Sequence, residues 1–259
     1  MKKILKPRPD QMIACLKELR LPTVRERYEE MAIQARRETF SYERYLHELI
    51  EAERETRRHH RIARQLRLSG LPLEKSLESF DLGRLPAKAI AHVKALLEGS
   101  FIDRSENVLA FGNPGSGKTH LLCALGQELI GQGRRVLFRP CSLLVQELLI
   151  AKRDLKLPRL LKRLSKLDAV IIDDIGYVQH SREEMEVLFT LLAGSYERTS
   201  VMLTSNLPFS KWETIFKDPM TTAAAIDRLV HHSVILELNL PSYRLEHSRR
   251  GKTARTGKR

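Results

Sequence analysis

The sequence predicts an α/β fold: a three-layer core with a parallel five-stranded sheet covered by helices on both faces, preceded by a small all-helical N-terminal domain. Three features point there. Residues 10–67 repeat apolar side chains every three or four positions, the period of amphipathic helices. Beyond residue 70, short apolar runs without polar alternation are separated by helical patterns, as in strands buried on both faces. A glycine-rich stretch directly follows the first of those runs and directly opens a helix.

Composition narrows the class. The 259 residues are 42% hydrophobic and 30% charged, which disfavours a disordered chain and suits long solvated helices. No apolar run reaches the roughly 18 residues needed to span a bilayer, and the basic start lacks the apolar stretch of a signal peptide. A cytoplasmic protein is expected. Cys15, Cys123 and Cys141 are far apart and lack zinc-ligand spacing, so neither a disulfide framework nor a structural metal site is expected. The adjacent His59 and His60 lie in a charged helix and read as solvated side chains. Charge is uneven: 17 Lys and Arg face 11 Asp and Glu over residues 1–70, 21 face 20 over 71–243, and 7 face 1 over 244–259. Two basic ends on a nearly neutral middle suit a polyanionic partner, nucleic acid in particular.

In chain order, Met12, Leu16 and Leu19 mark a first helix ending at Leu21-Pro22, and Val24, Tyr28, Met31 and Ala35 mark a second. A third begins at Tyr42 with Tyr45, Leu46, Leu49 and Ile50 on one face. Its continuation, Glu51 to Arg61, is almost wholly polar and reads as a solvated face with pairs such as Glu53 and Arg57. Arg57, Arg58, Arg61, Arg64 and Arg67 form a stripe able to follow a nucleic-acid backbone. Ser69-Gly-Leu-Pro72 breaks the pattern and sets the expected boundaries: 1–70 helical, 71–245 α/β, and 246–259 a basic tail expected to be disordered. Strands are expected at Val108–Phe111, Val136–Phe138, Ala169–Ile172, Val201–Thr204 and Val234–Leu236.

Gly112-Asn113-Pro114-Gly115-Ser116-Gly117-Lys118-Thr119 fits G-x-x-x-x-G-K-[ST] between strand and helix, with His120 following. Such a loop turns backbone N–H groups toward phosphate oxygens, Lys118 reaches the β and γ phosphates of a nucleotide, and the Thr119 hydroxyl ligates Mg²⁺. About fifty residues on, Asp173 and Asp174 end an apolar strand where ligands bind in open α/β sheets. Asp173 is expected to hold Mg²⁺, and Asp174 to polarise the attacking water. Aspartate is one methylene shorter than the glutamate many such sites carry, so slow turnover is expected. Asn206, ending the Val201–Thr204 run, suits orienting that water or sensing the γ-phosphate, with Thr204 as second candidate. Arg228, before the last strand, can be supplied to a neighbouring copy's γ-phosphate.

The order of P-loop, double aspartate, strand-end asparagine and pre-strand arginine resembles an AAA+ ATPase core. Residues 10–245 more closely resemble the IstB-like ATP-binding proteins, helper ATPases of bacterial insertion sequences similar to the helicase loader DnaC and the initiator DnaA. The resemblance is carried by Phe40-Ser-Tyr-Glu43, Leu49-Ile-Glu-Ala-Glu-Arg54, Leu77-Glu-Ser-Phe-Asp81, the Gly112–Thr119 loop, Ile171-Ile-Asp-Asp-Ile-Gly-Tyr177, Thr204-Ser-Asn206 and Ser242-Tyr-Arg244. It implies ATP-dependent self-assembly on double-stranded DNA and recruitment and stimulation of a partner transposase. One departure is visible. The residues beyond Glu237 are too few for a helical lid of several helices of about 11 residues each. No full lid is expected, and Arg244 is the remaining candidate for its nucleotide-sensing arginine. A helicase loader related to DnaC is the alternative, separable by whether the neighbouring gene encodes a transposase. A P-loop small-molecule kinase fits poorly with the basic ends, and a GTPase with the missing Asn-Lys-x-Asp tetrapeptide.

Overall fold

The computed structural model describes residues 9–176, 181–216 and 218–243. The chain divides into two units, Met1–Arg64 and Gln65–Arg259. The helical elements are α1 (Pro9–Glu18), α2 (Pro22–Arg37) and α3 (Tyr42–Ser69), where the apolar periodicity placed them. The division falls inside α3, ahead of the Ser69–Pro72 break on which the sequence reading set it. The helix itself stops at that break, where Gly70 takes a left-handed φ of 72°.

Glu53 departs from its expected place on a solvated face. It is buried at 4% exposure, and its Oε2 accepts from the backbone N–H groups of Thr23 at 2.8 Å and Val24 at 3.2 Å. Those are among the donors that the first turn of α2 leaves without helical partners. Leu21, the residue at the head of α2, offers no side-chain cap, so α3 supplies one. Arg57 Nε donates to Glu53 Oε1 at 2.7 Å, and its guanidinium also reaches the Arg20 carbonyl. Arg58, Arg61, Arg64 and Arg67 are exposed, as the stripe requires.

The second unit runs α4 (Ala87–Leu97), α5 (Ser100–Asp103), β1 (Asn107–Phe111), α6 (Lys118–Gly131), β2 (Val136–Pro140), α7 (Cys141–Arg153) and α8 (Leu157–Leu164). It continues β3 (Ala169–Ile175), α9 (Arg182–Ser195), β4 (Ser200–Ser205), α10 (Glu213–Phe216), α11 (Pro219–Val230) and β5 (Ser233–Glu237). All five strands are parallel, in the order β2-β3-β4-β1-β5. Side chains alternate between the two faces, as pleating requires. Leu109, Val170, Ile172, Val201 and Leu203 join Leu144, Leu148, Leu188, Trp212 and Leu229 in one apolar layer with α7, α9 and α11. Ile171 points the other way, against Gly126 of α6, where an added Cβ would lie 2.8 Å from its Cδ1. Three layers follow, with the central strands β1, β3 and β4 covered on both faces and Ile235 of the edge strand β5 exposed. The strand order matters most: β4 lies between β1 and β3, so its end separates the glycine loop from the two aspartates.

All three cysteines are free. Burial pushes the Cys123 and Cys141 thiols up to about 12, which keeps them protonated and unreactive. No helix among the described residues is long and apolar enough to cross a membrane. Arg244 and the tail from residue 246 lie outside the described residues, as does Tyr177.

Candidate functional site

The loop from Gly112 to Gly117 connects β1 to α6, and its glycines allow approaches that a side chain would block. A Cβ on Gly112 would lie 2.2 Å from the Leu238 carbonyl oxygen, and one on Gly115 would lie 2.2 Å from Ser242 Oγ. Both contacts come from the segment after β5, which folds back over the loop. Leu238 N donates to Phe111 O at 2.7 Å, and Tyr243 N donates to Gly115 O at 3.0 Å. Composition gave no sign of this return.

Lys118, in the first turn of α6, is buried at 6% exposure. Its Nζ donates to the Gly112 and Asn113 carbonyls at 2.8 and 3.0 Å and to Asn206 Oδ1 at 2.6 Å. The Asn206 amide in turn donates to Asp174 Oδ1 at 3.1 Å. Lysine, asparagine and second aspartate therefore form one hydrogen-bonded chain from the start of α6 and the ends of β4 and β3. Asn206 takes the bridging place.

Thr204, the other candidate for that place, has a different task. Its buried hydroxyl donates to Asp173 Oδ1 at 2.7 Å and accepts from the Asp174 backbone N–H at 2.7 Å. The strands are out of step here: Ile172 pairs with Leu203 but Ile175 with Ser205, so β3 carries one extra residue. Asp174 takes a φ of 66° in this bulge, a conformation uncommon for any residue but glycine. At the bulge, Thr204 ties the Asp173 carboxylate to the Asp174 backbone. Thr119 Oγ1 donates to Asp173 Oδ1 at 2.7 Å. A hydroxyl and a carboxylate oxygen side by side are the donor type that hard divalent cations such as Mg²⁺ prefer.

The residues fit a phosphate-bearing ligand on a further count. Ser116 Oγ is buried with no hydrogen-bond partner among the described residues. An unpaired buried hydroxyl is costly, and it stands at a helix N-terminus suited to anionic oxygens. Beside the loop, a cavity is lined by Lys75, Phe80, Arg84, His120 and Tyr243. His120 Nε2 bonds Ser79 Oγ at 3.1 Å and the Ser76 carbonyl at 2.9 Å, with its ring edge-on to Phe80. The Arg84 guanidinium lies 5.2 Å from the centre of the Tyr243 ring and donates to the Pro241 carbonyl at 2.9 Å. Sequence reasoning proposed His120 and missed Lys75 and Arg84; Phe80 and Tyr243 lay within the Leu77–Asp81 and Ser242–Arg244 segments but had no assigned role.

Asn113 and Pro114 are exposed at the front of the loop. Arg228 is not gathered into this site. Its backbone carbonyl accepts from Asn107 Nδ2 at 3.4 Å, at the first residue of β1, and its guanidinium lies 4.9 Å over the Phe189 ring. Five strand residues at about 3.3 Å each separate that edge from the loop by roughly 16 Å.

A family comparison matches residues 14–251 to the IstB-like ATP binding proteins. The chain belongs to this family. An insertion sequence ATP-binding protein of Sinorhizobium fredii is 43% identical over 230 residues, 88% of this chain and 77% of that one. The ATP-binding protein of insertion sequence IS21 of Pseudomonas aeruginosa is 42% identical over 194 residues, 74% of this chain and 73% of that one. Among solved structures, the replication initiator DnaA bound to AMPPCP and single-stranded DNA superposes with a TM-score of 0.56 at 21% identity, covering 66% of this chain and 52% of that one. DnaI superposes with a TM-score of 0.55 at 22% identity, covering 65% and 94%. These structural likenesses establish the fold, an AAA+-like P-loop core. The IstB-like chain is thus an ATP-binding protein associated with insertion sequences.

Proposed function

We propose that this IstB-like protein is a DNA-binding AAA+ regulator of transposition. It hydrolyses ATP with Mg²⁺, assembles on double-stranded DNA through Arg228 supplied to a neighbouring copy, and recruits and stimulates a partner transposase. The hydrogen-bonded chain from Lys118 through Asn206 to Asp174 carries the hydrolytic part of this reading. It ties a phosphate-binding cation to a proton-accepting carboxylate through a neutral amide that can report on both.

In this reading the loop amides, Ser116 and Lys118 hold the phosphates, and the Phe80, Arg84, His120 and Tyr243 cavity takes the base end. Thr119 and Asp173 hold Mg²⁺, which neutralises phosphate charge when bound. Asp174 Oδ2 accepts the proton of the attacking water while Asn206 keeps Oδ1 fixed. The short aspartate side chain keeps turnover slow, so ATP acts as a timer for assembly. Arg228 contributes positive charge only across a contact between copies. The exposed Arg58, Arg61, Arg64 and Arg67 supply phosphate contacts that hold DNA with little base reading. The insertion-sequence relatives favour transposition over helicase loading.

The test is assembly on duplex DNA, followed by electron microscopy with a non-hydrolysable ATP analogue. Wild type should form nucleoprotein oligomers only with nucleotide, and Lys118→Ala and Arg228→Ala should form none. Identical assemblies from both variants without nucleotide would overturn the reading.

A further inference from the structure

The edge of the sheet away from the nucleotide loop holds a second group of chemistry-bearing side chains. Glu197 lies in the turn between α9 and β4, and His231 and His232 lie between α11 and β5. Their ligand atoms all fall within 4.8 Å of one another, and all three residues are exposed. We propose that Glu197, His231 and His232 form a binding site for a divalent transition ion of the zinc class, independent of the ATP site.

The reasons are chemical and geometric. Two imidazoles and one carboxylate are a recurrent three-ligand set for Zn²⁺, with water or another group in the fourth position. Imidazole nitrogen prefers Zn²⁺ to Mg²⁺, so the two sites select different ions. Tyr196 Oη and His231 Nδ1 are 3.0 Å apart. With Nδ1–H donating to the phenol oxygen, Nε2 carries the lone pair for a metal, the outer-shell arrangement that orients ligating histidines. The site also stands at the C-terminal end of α11, where the helix dipole favours a cation, and His231 N closes that end on Asp227 O at 3.0 Å. The two rings stand 4.2 Å apart at 75°. Glu197 takes a left-handed φ of 55°, holding its side chain in a turn that faces the histidines. Ion binding ties this turn to the end of the helix that carries Arg228.

The competing adjacent pair provides a control. His59 and His60 are also exposed, but His59 Nε2 is already engaged with Glu55 at 2.8 Å. Zn²⁺ is titrated into the full-length protein in competition with a chromogenic chelator, in excess Mg²⁺. Wild type should take up one tight equivalent, which the double variant His59→Ala/His60→Ala retains. His232→Ala and Glu197→Gln should each weaken it at least about tenfold, and Tyr196→Phe about tenfold through the outer shell. All these side chains lie outside the apolar core; Trp212 fluorescence checks the fold of the Tyr196, Glu197 and His232 variants, and circular dichroism that of the His59/His60 variant. No tight equivalent in wild type, unchanged affinity in His232→Ala and Glu197→Gln, or loss with the His59/His60 pair would each overturn the proposal.

Discussion

Thr204→Val tests the pin beneath the two aspartates with almost no change of shape. The hydroxyl is buried at 1% exposure and makes two bonds of 2.7 Å, to the Asp173 carboxylate and from the Asp174 N–H. Valine abolishes both. The Asp174 N–H is then left half-buried without its acceptor, costing about 1–3 kcal/mol, while Asp173 keeps the Thr119 hydroxyl and loses one of its two donors. Together the loss is about 2–4 kcal/mol. Thr204→Ser keeps the hydroxyl and gives up one methyl, about 1 kcal/mol. Trp212 is the single tryptophan and fully buried in the same unit, so its fluorescence in urea reports this unit alone. With a denaturant slope of about 2 kcal/mol per molar, the valine midpoint should fall by about 1–2 M and the serine midpoint by about 0.5 M. Loosened carboxylates should also slow single-turnover ATP hydrolysis about a hundredfold in the valine variant only. A valine variant as stable and as active as the serine variant would refute the pinning role.

Three further outcomes are expected. Asp174→Ala should leave ATP binding within a few-fold of wild type and slow single-turnover hydrolysis by about 10²-fold or more; an unchanged rate removes Asp174 from the chemistry. Gly115→Ala should weaken ATP binding, measured by calorimetry, because its Cβ would stand 2.2 Å from Ser242 Oγ at a φ of 79° and displace the returning segment. Glu53→Ala should destabilise the helical unit by about 2–4 kcal/mol in thermal unfolding followed by circular dichroism. Burial alone would raise the Glu53 pKa, but the Arg57 hydrogen bond and the Val24 and Thr23 N–H groups outweigh it and hold it below the usual 4.5. Its contribution is therefore full above that value and disappears as pH falls through the lower folded pKa, and the variant should lose this acid-limb dependence.

The strands were legible because parallel, doubly covered strands leave unbroken apolar runs, and Val108–Phe111 and Ala169–Ile172 are such runs. The glycine loop was legible because its spacing is dictated by phosphate chemistry rather than by packing. Glu53 was not, because an acid among arginines on a polar helix has the same local pattern whether it faces water or caps another helix. Thr204 and Asn206 could not be told apart for a similar reason: both close one strand, and only the three-dimensional register shows Asn206 against Lys118 and Thr204 against the Asp173 carboxylate and the Asp174 N–H. Arg84 and Tyr243 were invisible as partners because 157 residues separate Arg84 from the Pro241 carbonyl it holds.

The position of Arg228 bears on assembly more directly than its identity does. An arginine side chain reaches only about half of the roughly 16 Å of β1 that separates the two sheet edges. A role in its own chain's phosphate chemistry is therefore geometrically closed. Two roles are left: packing on Phe189, or serving a second copy whose loop edge meets this chain's opposite edge. Packing on Phe189 needs a flat cation but no particular neighbour, so Arg228→Lys should preserve it in part, whereas a planar two-pronged contact to a phosphate in another copy should be lost with lysine. Nucleotide-dependent assembly that survives Arg228→Lys at full strength would therefore place the residue in the fold and require a different cation at the junction between copies.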